Sequence, residues 1–381
     1  MSFDTPVKHL SLFHIIHRKA RKRILVDLSI LKDLHCGLGQ IAWNYGMYYN
    51  THTPDDLDIT LLVPKKYMGM FGEKVKYIES KHIYRVMPWL LPHFDLWHSI
   101  HQLSRYRPSR FWTKNILTIH DLNYLYEKRG KKVQKYHDRV QKRINRADYL
   151  TTISHFTKED VENHMIIKNK PLLVIYNGVE QPDLSLAQVP KNIQDPAHPF
   201  FFTIGQIREK KNFHTLLDLM KMYPDYKLYI AGQDHSHYAK MMKTRIIDEK
   251  ISNISFLGII SPEEKTWLYT NCKAFLFPSL FEGFGLPVIE AMMFGKPVFC
   301  SRKTSLAEVG GNYAFFWDTF ETEAMKKVMD EHLDEFYNTP KAISNTINYA
   351  LSFNYENHMQ QYFDLYRTIL STTRKKLIYS K

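Results

Sequence analysis

The run PSLFEGFGLPVIEAM, at residues 278–292, joins a short apolar segment to the start of a helix-like one. Residues 274–277 before it have the pattern of a buried strand, and Pro287 stands where the first turn of a helix accepts a proline. Gly283 and Gly285 allow a ligand to come close to the backbone, and the free N–H groups at a helix start favour an anion. The run therefore predicts a strand, an anion-binding loop and a helix, in that order.

Two glutamates in this run are candidate ligands for sugar hydroxyls. Glu290 is expected in the first turn of the helix, where its carboxylate would accept hydrogen bonds from a ribose, and Glu282 lies on the loop, where it would bind the transferred sugar. A carboxylate near a helix start is also a common capping residue, so either glutamate alone would indicate only a structural turn. The whole run, with Phe284 and Leu286 beside the glycines, favours a donor-binding site.

Strand-like and helix-like segments alternate along the chain. Before residue 177 the predicted strands are 23–29, 58–63, 115–120, 149–154 and 172–176, with helices at 131–146 and 158–164. After residue 199 the predicted strands are 200–204, 227–231, 254–257, 274–277 and 297–300, with a helix at 212–222. Residues 177–199 hold several prolines and little periodicity, which indicates a linker. The pattern predicts an α/β fold with two Rossmann-like, doubly wound domains that face a cleft.

The order of the motifs resembles that of glycosyltransferase family four. The members of this family are retaining, nucleotide-sugar-dependent enzymes with the GT-B fold, and the chain resembles those of the bacterial surface-glycan type. Glu282 and Glu290 are spaced as in the family's E-x7-E signature. Further similar segments are GLGQ at 37–40, LWHS at 96–99, HDL at 120–122, SHFTK at 154–158, YNGV at 176–179 and SLAEVGG at 305–311. The resemblance implies an acceptor-side domain over residues 1–185, a donor domain over 186–352, and helices over 353–381 that cross back to the first domain.

The turn GQIREKKN, at residues 205–212, resembles the family's turn that supplies an arginine and a lysine to the leaving diphosphate. Fixed cations at this place stabilise charge that grows in the transition state. Lys211 stands at the family's lysine position, but Gln206 occupies the arginine position. The arginine role is therefore expected to pass to Arg208 or Lys210.

Other parts of the donor site follow from the same resemblance. His120 would position and polarise the donor sugar, and Asp121, the nearest acid in sequence, could orient its ring. Gly37 and Gly39 would line the donor site from a glycine loop after the first strand. A single histidine after a strand is more often structural than catalytic, so the role of His120 depends on the resemblance.

No metal ion or other cofactor is expected beside the nucleotide-sugar donor. Asp56 and Asp58 spell the Asp-x-Asp pattern of metal-dependent transferases of another fold, but they precede a strand in the acceptor-side domain. The three cysteines, Cys36, Cys272 and Cys300, fit no metal or disulfide spacing and suit a reducing compartment. The expected location is the cytoplasm.

The charge is concentrated in the first half of the chain. The net charge is +13, and residues 1–190 alone contribute +11. The basic segments 17–23, 105–110 and 128–146, the second of them close to Tyr106, Phe111 and Trp112, predict peripheral contact with the inner face of an anionic membrane. An ordinary solvated surface is the alternative. A nucleic acid is not expected as a partner, because no recognisable binding module accompanies the charge.

Together these features predict a retaining hexosyltransferase that moves a sugar from a nucleotide diphosphate donor to a glycan or lipid-linked glycan acceptor in surface-polysaccharide biosynthesis. Two alternatives remain open at this point: a nucleotide-sugar epimerase or hydrolase of the same fold, and a non-catalytic module that binds polyanions. The paired glutamates and Lys211 favour an enzyme, because a polyanion-binding module would need neither.

Overall fold

The computed structural model describes residues 21–34, 37–181 and 183–371. Cys36, residues 17–20 of the first basic segment and residues 372–381 of the predicted closing segment lie outside the described residues. Within the described ranges the strands form two sheets, one of seven strands and one of six, and every strand pair is parallel.

The first sheet has the strand order β3-β2-β1-β4-β5-β6-β7. Its elements, in chain order, are β1 (Lys22–Asp27), α1 (Gly37–His52), β2 (Leu57–Val63), β3 (Lys76–Glu79), α2 (Ile83–Val86), β4 (Leu96–Ser99), β5 (Lys114–Ile119), α3 (Tyr124–Glu127), α4 (Lys131–Arg146), β6 (Tyr149–Thr152), α5 (His155–His164) and β7 (Leu172–Val174). The central strands are buried on both faces, as expected for a parallel sheet covered by helices.

The second sheet has the order β10-β9-β8-β11-β12-β13. Its elements are β8 (Phe200–Ile204), α6 (Thr215–Lys221), β9 (Lys227–Ala231), α7 (His237–Asp248), β10 (Ile254–Gly258), α8 (Pro262–Asn271), β11 (Ala274–Phe277), α9 (Leu286–Met293), β12 (Val298–Ser301), α10 (Ser305–Gly310), β13 (Ala314–Trp317), α11 (Thr322–Asn338) and α12 (Ala342–Leu351), and the chain continues into α13 (Tyr355–Ser371). Two Rossmann-like parallel sheets confirm the predicted fold class.

Two predicted helix starts were wrong: the helix expected over 158–164 already begins at His155, and the backbone explains the second. The helix expected over 212–222 begins only at Thr215, because Glu209–Lys211 form a 3-10 turn and Asn212 follows it in the left-handed conformation, with φ +57°. Asparagine is one of the few residues that tolerate this conformation. The turn separates the basic residues from the helix and places them at the carboxyl end of β8.

The last described helix belongs to the core of the first domain. α13 buries Met359, Tyr362 and Tyr366 against β1, β2 and α1. The Tyr366 hydroxyl lies 2.7 Å from both Tyr49 Oη and His98 Nδ1. Buried polar groups need such partners, so α13 is an integral part of the first domain although it follows the second along the chain.

Candidate active site

The loop between β11 and α9, residues 278–285, forms the centre of the candidate site and is called the donor loop below. Gly285 precedes α9 with φ +106°, a conformation that side chains rarely adopt. Gly283 packs against the other domain: a Cβ atom added to it would lie 2.1 Å from the carbonyl oxygen of His120. The carbonyl oxygen of Gly283 also accepts hydrogen bonds from Ser154 Oγ at 2.8 Å and Thr157 Oγ1 at 3.2 Å. The donor loop is therefore docked directly on the carboxyl end of the first sheet.

Glu282 is held within the cleft by a buried ion pair. Its Oε1 atom lies 2.5 Å from Lys211 Nζ and 2.6 Å from Ser279 Oγ. Burial opposes ionisation of this carboxyl group, but the ammonium groups of Lys211 and Lys210 outweigh burial and lower the pKa of Glu282. The carboxylate is thus charged at neutral pH and fixed in one orientation.

The basic turn after β8 brings two lysines to this carboxylate. Lys211 is buried and its Nζ atom lies 4.7 Å from the centre of the Phe277 ring. Lys210 pairs with Glu127 of the first domain at 2.8 Å, and although burial acts in the opposite direction, Glu282 and Glu127 raise the pKa of Lys210. Arg208 is exposed at the start of the turn. Of the two candidates for the arginine role, Lys210 is the one that lies beside Glu282.

His120 follows β5 and is buried opposite the donor loop. Its Nε2 atom donates to the carbonyl oxygen of Ile100 at 2.7 Å, and burial lowers the pKa of His120 to about 4. The ring is therefore neutral at pH 7, with its Nδ1 atom as an acceptor. The expectation that Asp121 orients this ring was wrong: Asp121 Oδ1 instead accepts from the backbone N–H of Asn123 at 3.1 Å.

Glu290 lies on α9, but not in its first turn as the sequence predicted. The helix begins at Leu286, so Glu290 is the fifth helical residue. Its carboxylate accepts from Lys265 Nζ at 3.0 Å and Tyr269 Oη at 2.9 Å, both on α8. Sequence reasoning missed Lys265 and Tyr269, because neither belongs to a motif and only the packing of α8 on α9 brings them to Glu290.

Four further residues were predicted at the donor site, and three of them have close structural neighbours. Gly37 and Gly39 lie in the first turn of α1, not in a loop, and a Cβ atom on Gly39 would lie 2.0 Å from the carbonyl oxygen of Asp33. The buried Phe284 ring packs on Tyr176 and Phe353. Leu286 packs against the cores of both domains. The side chain of Phe284 thus serves packing, which leaves its backbone for a ligand, whereas Leu286 is only partly buried.

The Asp-x-Asp pattern takes part in ion pairs away from the donor loop. Asp56 accepts from Arg367 Nε at 2.9 Å and Nη2 at 3.0 Å, and Asp58 pairs with Lys76 at 2.6 Å. Within residues 21–34, 37–181 and 183–371, no group of three or more histidine, cysteine, aspartate or glutamate side chains is arranged to hold a metal ion. In the same ranges, none of the helices combines the length and hydropathy needed to cross a bilayer.

Comparison with known families gives two matches that together cover most of the chain. Residues 54–181 match the family described as Glycosyltransferase Family 4, and residues 187–350 match the one described as Glycosyl transferases group 1. These matches, together with the two parallel-sheet domains, identify a glycosyltransferase of the GT-B class. The chain belongs to glycosyltransferase family four.

Relatives and solved structures agree with this assignment. The chain is 22% identical over 359 residues to the O-antigen chain mannosyltransferase RfbU of Salmonella typhimurium, with 88% of this chain and 97% of that protein covered. It is 24% identical over 285 residues to O-antigen chain mannosyltransferase B of Escherichia coli, with 71% and 74% covered. The structure of Anabaena HepE in complex with UDP and glucose has the same fold, with a TM-score of 0.72, 17% identity and coverage of 91% of this chain and 100% of that one.

Proposed function

We propose that this enzyme transfers a hexosyl group, with mannose as the first candidate, from a nucleoside diphosphate sugar to a glycan acceptor of a bacterial surface polysaccharide, with retention of the anomeric configuration. The observation that carries the proposal is the Glu282–Lys211 pair opposite His120 in the cleft between the domains. The mannosyltransferase names of the relatives support the choice of sugar. Those relatives are transferases, which disfavours an epimerase, a hydrolase or a polyanion-binding module.

The two domains contribute different parts of the chemistry. Lys211, Lys210 and the N–H groups at the start of α9 provide positive charge for the diphosphate, which becomes more negative as the sugar leaves. Glu282 accepts hydrogen bonds from sugar hydroxyls, and the neutral His120 accepts one at Nδ1. Glu290, oriented by Lys265 and Tyr269, accepts from the ribose. A transition state that contacts both domains receives more stabilisation than the bound donor alone.

A panel of nucleotide sugars tests the proposal. Thermal unfolding is followed with UDP-glucose, UDP-galactose, ADP-glucose and GDP-mannose, because a ligand that binds only the folded state raises the unfolding temperature with concentration. We expect one donor, a mannose nucleotide, to give the largest shift. Transfer from that donor to surface-glycan fragments, with the product anomer assigned by NMR, completes the test. A product of inverted configuration would contradict retention, and turnover without an acceptor dependence would favour a hydrolase.

The position of the missing arginine gives a first mutational prediction. Lys210→Ala is expected to lower turnover by about tenfold, because it removes a cation beside Glu282, whereas the exposed Arg208→Ala is expected to stay within twofold of the wild type. Steady-state kinetics at saturating donor provide the measurement. A tenfold loss in Arg208→Ala with normal Lys210→Ala turnover would move the role to Arg208.

The proposed mechanism requires no metal ion. Turnover is expected to change by less than twofold in excess EDTA, since lysine ammonium groups and helix N–H groups are available to the diphosphate. The assay compares chelated enzyme with enzyme supplied with magnesium or manganese. Complete loss of activity in EDTA, restored by either ion, would show that a metal serves the diphosphate instead.

A peripheral membrane contact is proposed for the first domain. An exposed apolar surface is formed by α2, the 3-10 turn Pro88–Leu90 and the loop at 109–112, and its members are Ile83, Val86, Trp89, Leu90, Phe111 and Trp112. The loop and the turn region are joined by the hydrogen bond from Trp112 Nε1 to His93 Nδ1, and Arg110 lies over the Trp112 ring. Exposed aromatic side chains beside cations suit an anionic lipid surface. Tyr106, expected on this surface, is buried and donates to the carbonyl oxygen of Ser80.

Sedimentation with phosphatidylglycerol vesicles tests this contact. Binding is expected at low salt and release at high salt, because attraction between exposed charges is screened over roughly 10 Å at 0.1 M. Phe111→Ser with Trp112→Ser is expected to weaken binding at least tenfold, since both rings are lost from the surface. Ile247→Ser, which changes an equally exposed apolar residue of the second domain, serves as the matched control. Equal binding by both variants would contradict the proposed surface.

A further inference from the structure

A carboxylate of the second domain binds the start of a helix in the first. Glu308, on α10, accepts from the backbone N–H of His155 at 2.7 Å through Oε1 and from that of Phe156 at 3.0 Å through Oε2. These residues are the first two of α5, and the cap residue Ser154 accepts from the backbone N–H of Thr157. The first N–H groups of a helix have no partner inside the helix, so two of those in α5 have partners supplied by the other domain.

The same short helix also holds the donor loop. The Oγ atom of Ser305, at the start of α10, donates to the carbonyl oxygens of Glu282 at 2.9 Å and Phe284 at 3.0 Å. Leu306 packs under Gly285, whose added Cβ atom would lie 2.5 Å from Leu306 Cδ2. α10 is thus fixed to the donor loop through Ser305 and Leu306 and to α5 through Glu308, all within its first turn.

The start of α5 contacts the donor loop as well. Ser154 and Thr157 donate through their hydroxyls to the carbonyl oxygen of Gly283, and Thr157 Oγ1 lies 3.3 Å from the carbonyl oxygen of His120. One helix start therefore touches the loop that bears Glu282, the strand end that bears His120, and the carboxylate of Glu308.

We infer that Glu308 is a positioning residue for transfer: its ion–dipole contact with the start of α5 holds the two domains closed, so that Glu282 and His120 face the same sugar. A negative charge is stabilised at a helix N-terminus by the helix dipole and by charge-assisted hydrogen bonds. A glutamine in its place keeps the shape, but it loses the charge and can offer only one oxygen acceptor. The groups proposed to bind the nucleoside diphosphate lie on α9 and on the turn after β8, so the role inferred for Glu308, on α10, is separate from binding of that group.

Kinetics and binding together separate this role from a structural one. In Glu308→Gln, kcat is expected to fall about tenfold, the size expected for losing a hydrogen bond to a charged group. The Kd for UDP or GDP, whichever raises the unfolding temperature of the wild type, is expected to stay within twofold. Glu323→Gln is the matched control, because it removes a carboxylate from the first turn of α11, within the second domain alone. Its kcat and Kd should both match the wild type.

Small-angle scattering provides a second test, which does not depend on the identity of the sugar or the acceptor. With the nucleoside diphosphate bound, Glu308→Gln is expected to show a larger radius of gyration than the wild type, and Glu323→Gln is not. The inference rests on the proposed transfer only through kcat, so the scattering result remains informative if that proposal fails. Ser154→Ala, which removes the hydroxyl bonded to Gly283, is expected to give the same split between kcat and Kd.

Three outcomes would overturn the inference. Equal kcat and equal scattering for Glu308→Gln and the wild type would show that the contact does not hold the domains. A parallel loss of kcat in Glu323→Gln would indicate a general charge effect. A loss of nucleoside diphosphate affinity as large as the loss of kcat would place the effect within the donor domain. If Glu308→Gln does not fold, kcat and Kd of Ser154→Ala are compared with those of the wild type in the same way.

Discussion

Replacing Lys211 by alanine is expected to lower turnover on the order of 100-fold, which is the lower end of what the loss of one preorganised charge-stabilising donor typically costs. Two effects combine in this variant. The leaving diphosphate loses a fixed cation, and Glu282 loses the partner that lies 2.5 Å away. Arg208→Ala is the control for removing a positive charge from the same turn, because its side chain is exposed.

The pH dependence of stability distinguishes the two effects. In the wild type the pKa of Glu282 is lowered, so this group stabilises the fold above its unfolded pKa, near 4.5, and that contribution is lost as pH falls through the folded pKa. In Lys211→Ala one of the two ammonium groups that counteract the effect of burial is absent, so the pKa of Glu282 is expected to rise. The contribution of Glu282 to stability then depends on pH in the opposite direction, and the variant should gain stability relative to the wild type as pH falls towards 4.

The double variant Lys211→Ala with Glu282→Gln completes the test. It removes the uncompensated buried carboxylate, so we expect it to recover most of the unfolding temperature lost in Lys211→Ala, because an unpaired buried charge is more costly than a neutral amide. Turnover should remain low, because neither the cation nor the carboxylate is restored. Recovery of turnover in the double variant would contradict a direct role of Lys211 towards the diphosphate.

The second large effect is expected for Gly283→Ala. Its new Cβ atom would lie 2.1 Å from the carbonyl oxygen of His120, a separation that the backbone on both sides must widen. The hydrogen bonds from Ser154 and Thr157 to the Gly283 carbonyl oxygen would be disturbed by the same movement. We expect turnover to fall by at least about 100-fold, because misplacing reacting groups by 1 Å can cost that much.

Measurement of the unfolding temperature shows whether the loss of turnover in Gly283→Ala comes from a local change at the loop or from unfolding of a domain. Both domains should remain folded in Gly283→Ala, since the change lies between them and not in either core. Wild-type turnover in Gly283→Ala would show that the close contact with His120 is not needed for catalysis.

The parts of the site that the sequence predicted are those carried by short segments. Glu282 and Lys211 each follow a buried strand, so the alternation of strands and helices was enough to predict that both lie near the carboxyl edge of one sheet. Most central strands were equally clear, because their residues are almost all apolar, but β4, the middle strand of the first sheet, was not predicted from the alternation. β3 was missed because it is an edge strand, bounded by Lys76 and Glu79 and only half-buried.

The rest depends on contacts between distant segments. The partner of His120 is the carbonyl oxygen of Ile100, 20 residues away, and no pattern of side chains announces a backbone acceptor. Glu308 reaches α5 across 153 residues, and its motif indicated a landmark of the donor domain without indicating a contact. α6 begins later than predicted because Asn212 adopts the left-handed conformation. The periodicity of side chains carries no information about a single backbone angle.

The return of α13 to the first domain has a consequence for synthesis on the ribosome. The buried side chains of His98 and Tyr49 form hydrogen bonds with Tyr366, which is 268 and 317 residues further along the chain, respectively. As the chain emerges, the first sheet can form early, but these buried polar groups and the apolar side of α1 stay uncovered until the whole second domain has been made. The second domain is therefore able to finish folding before the first, whose core is completed only when α13 has been made.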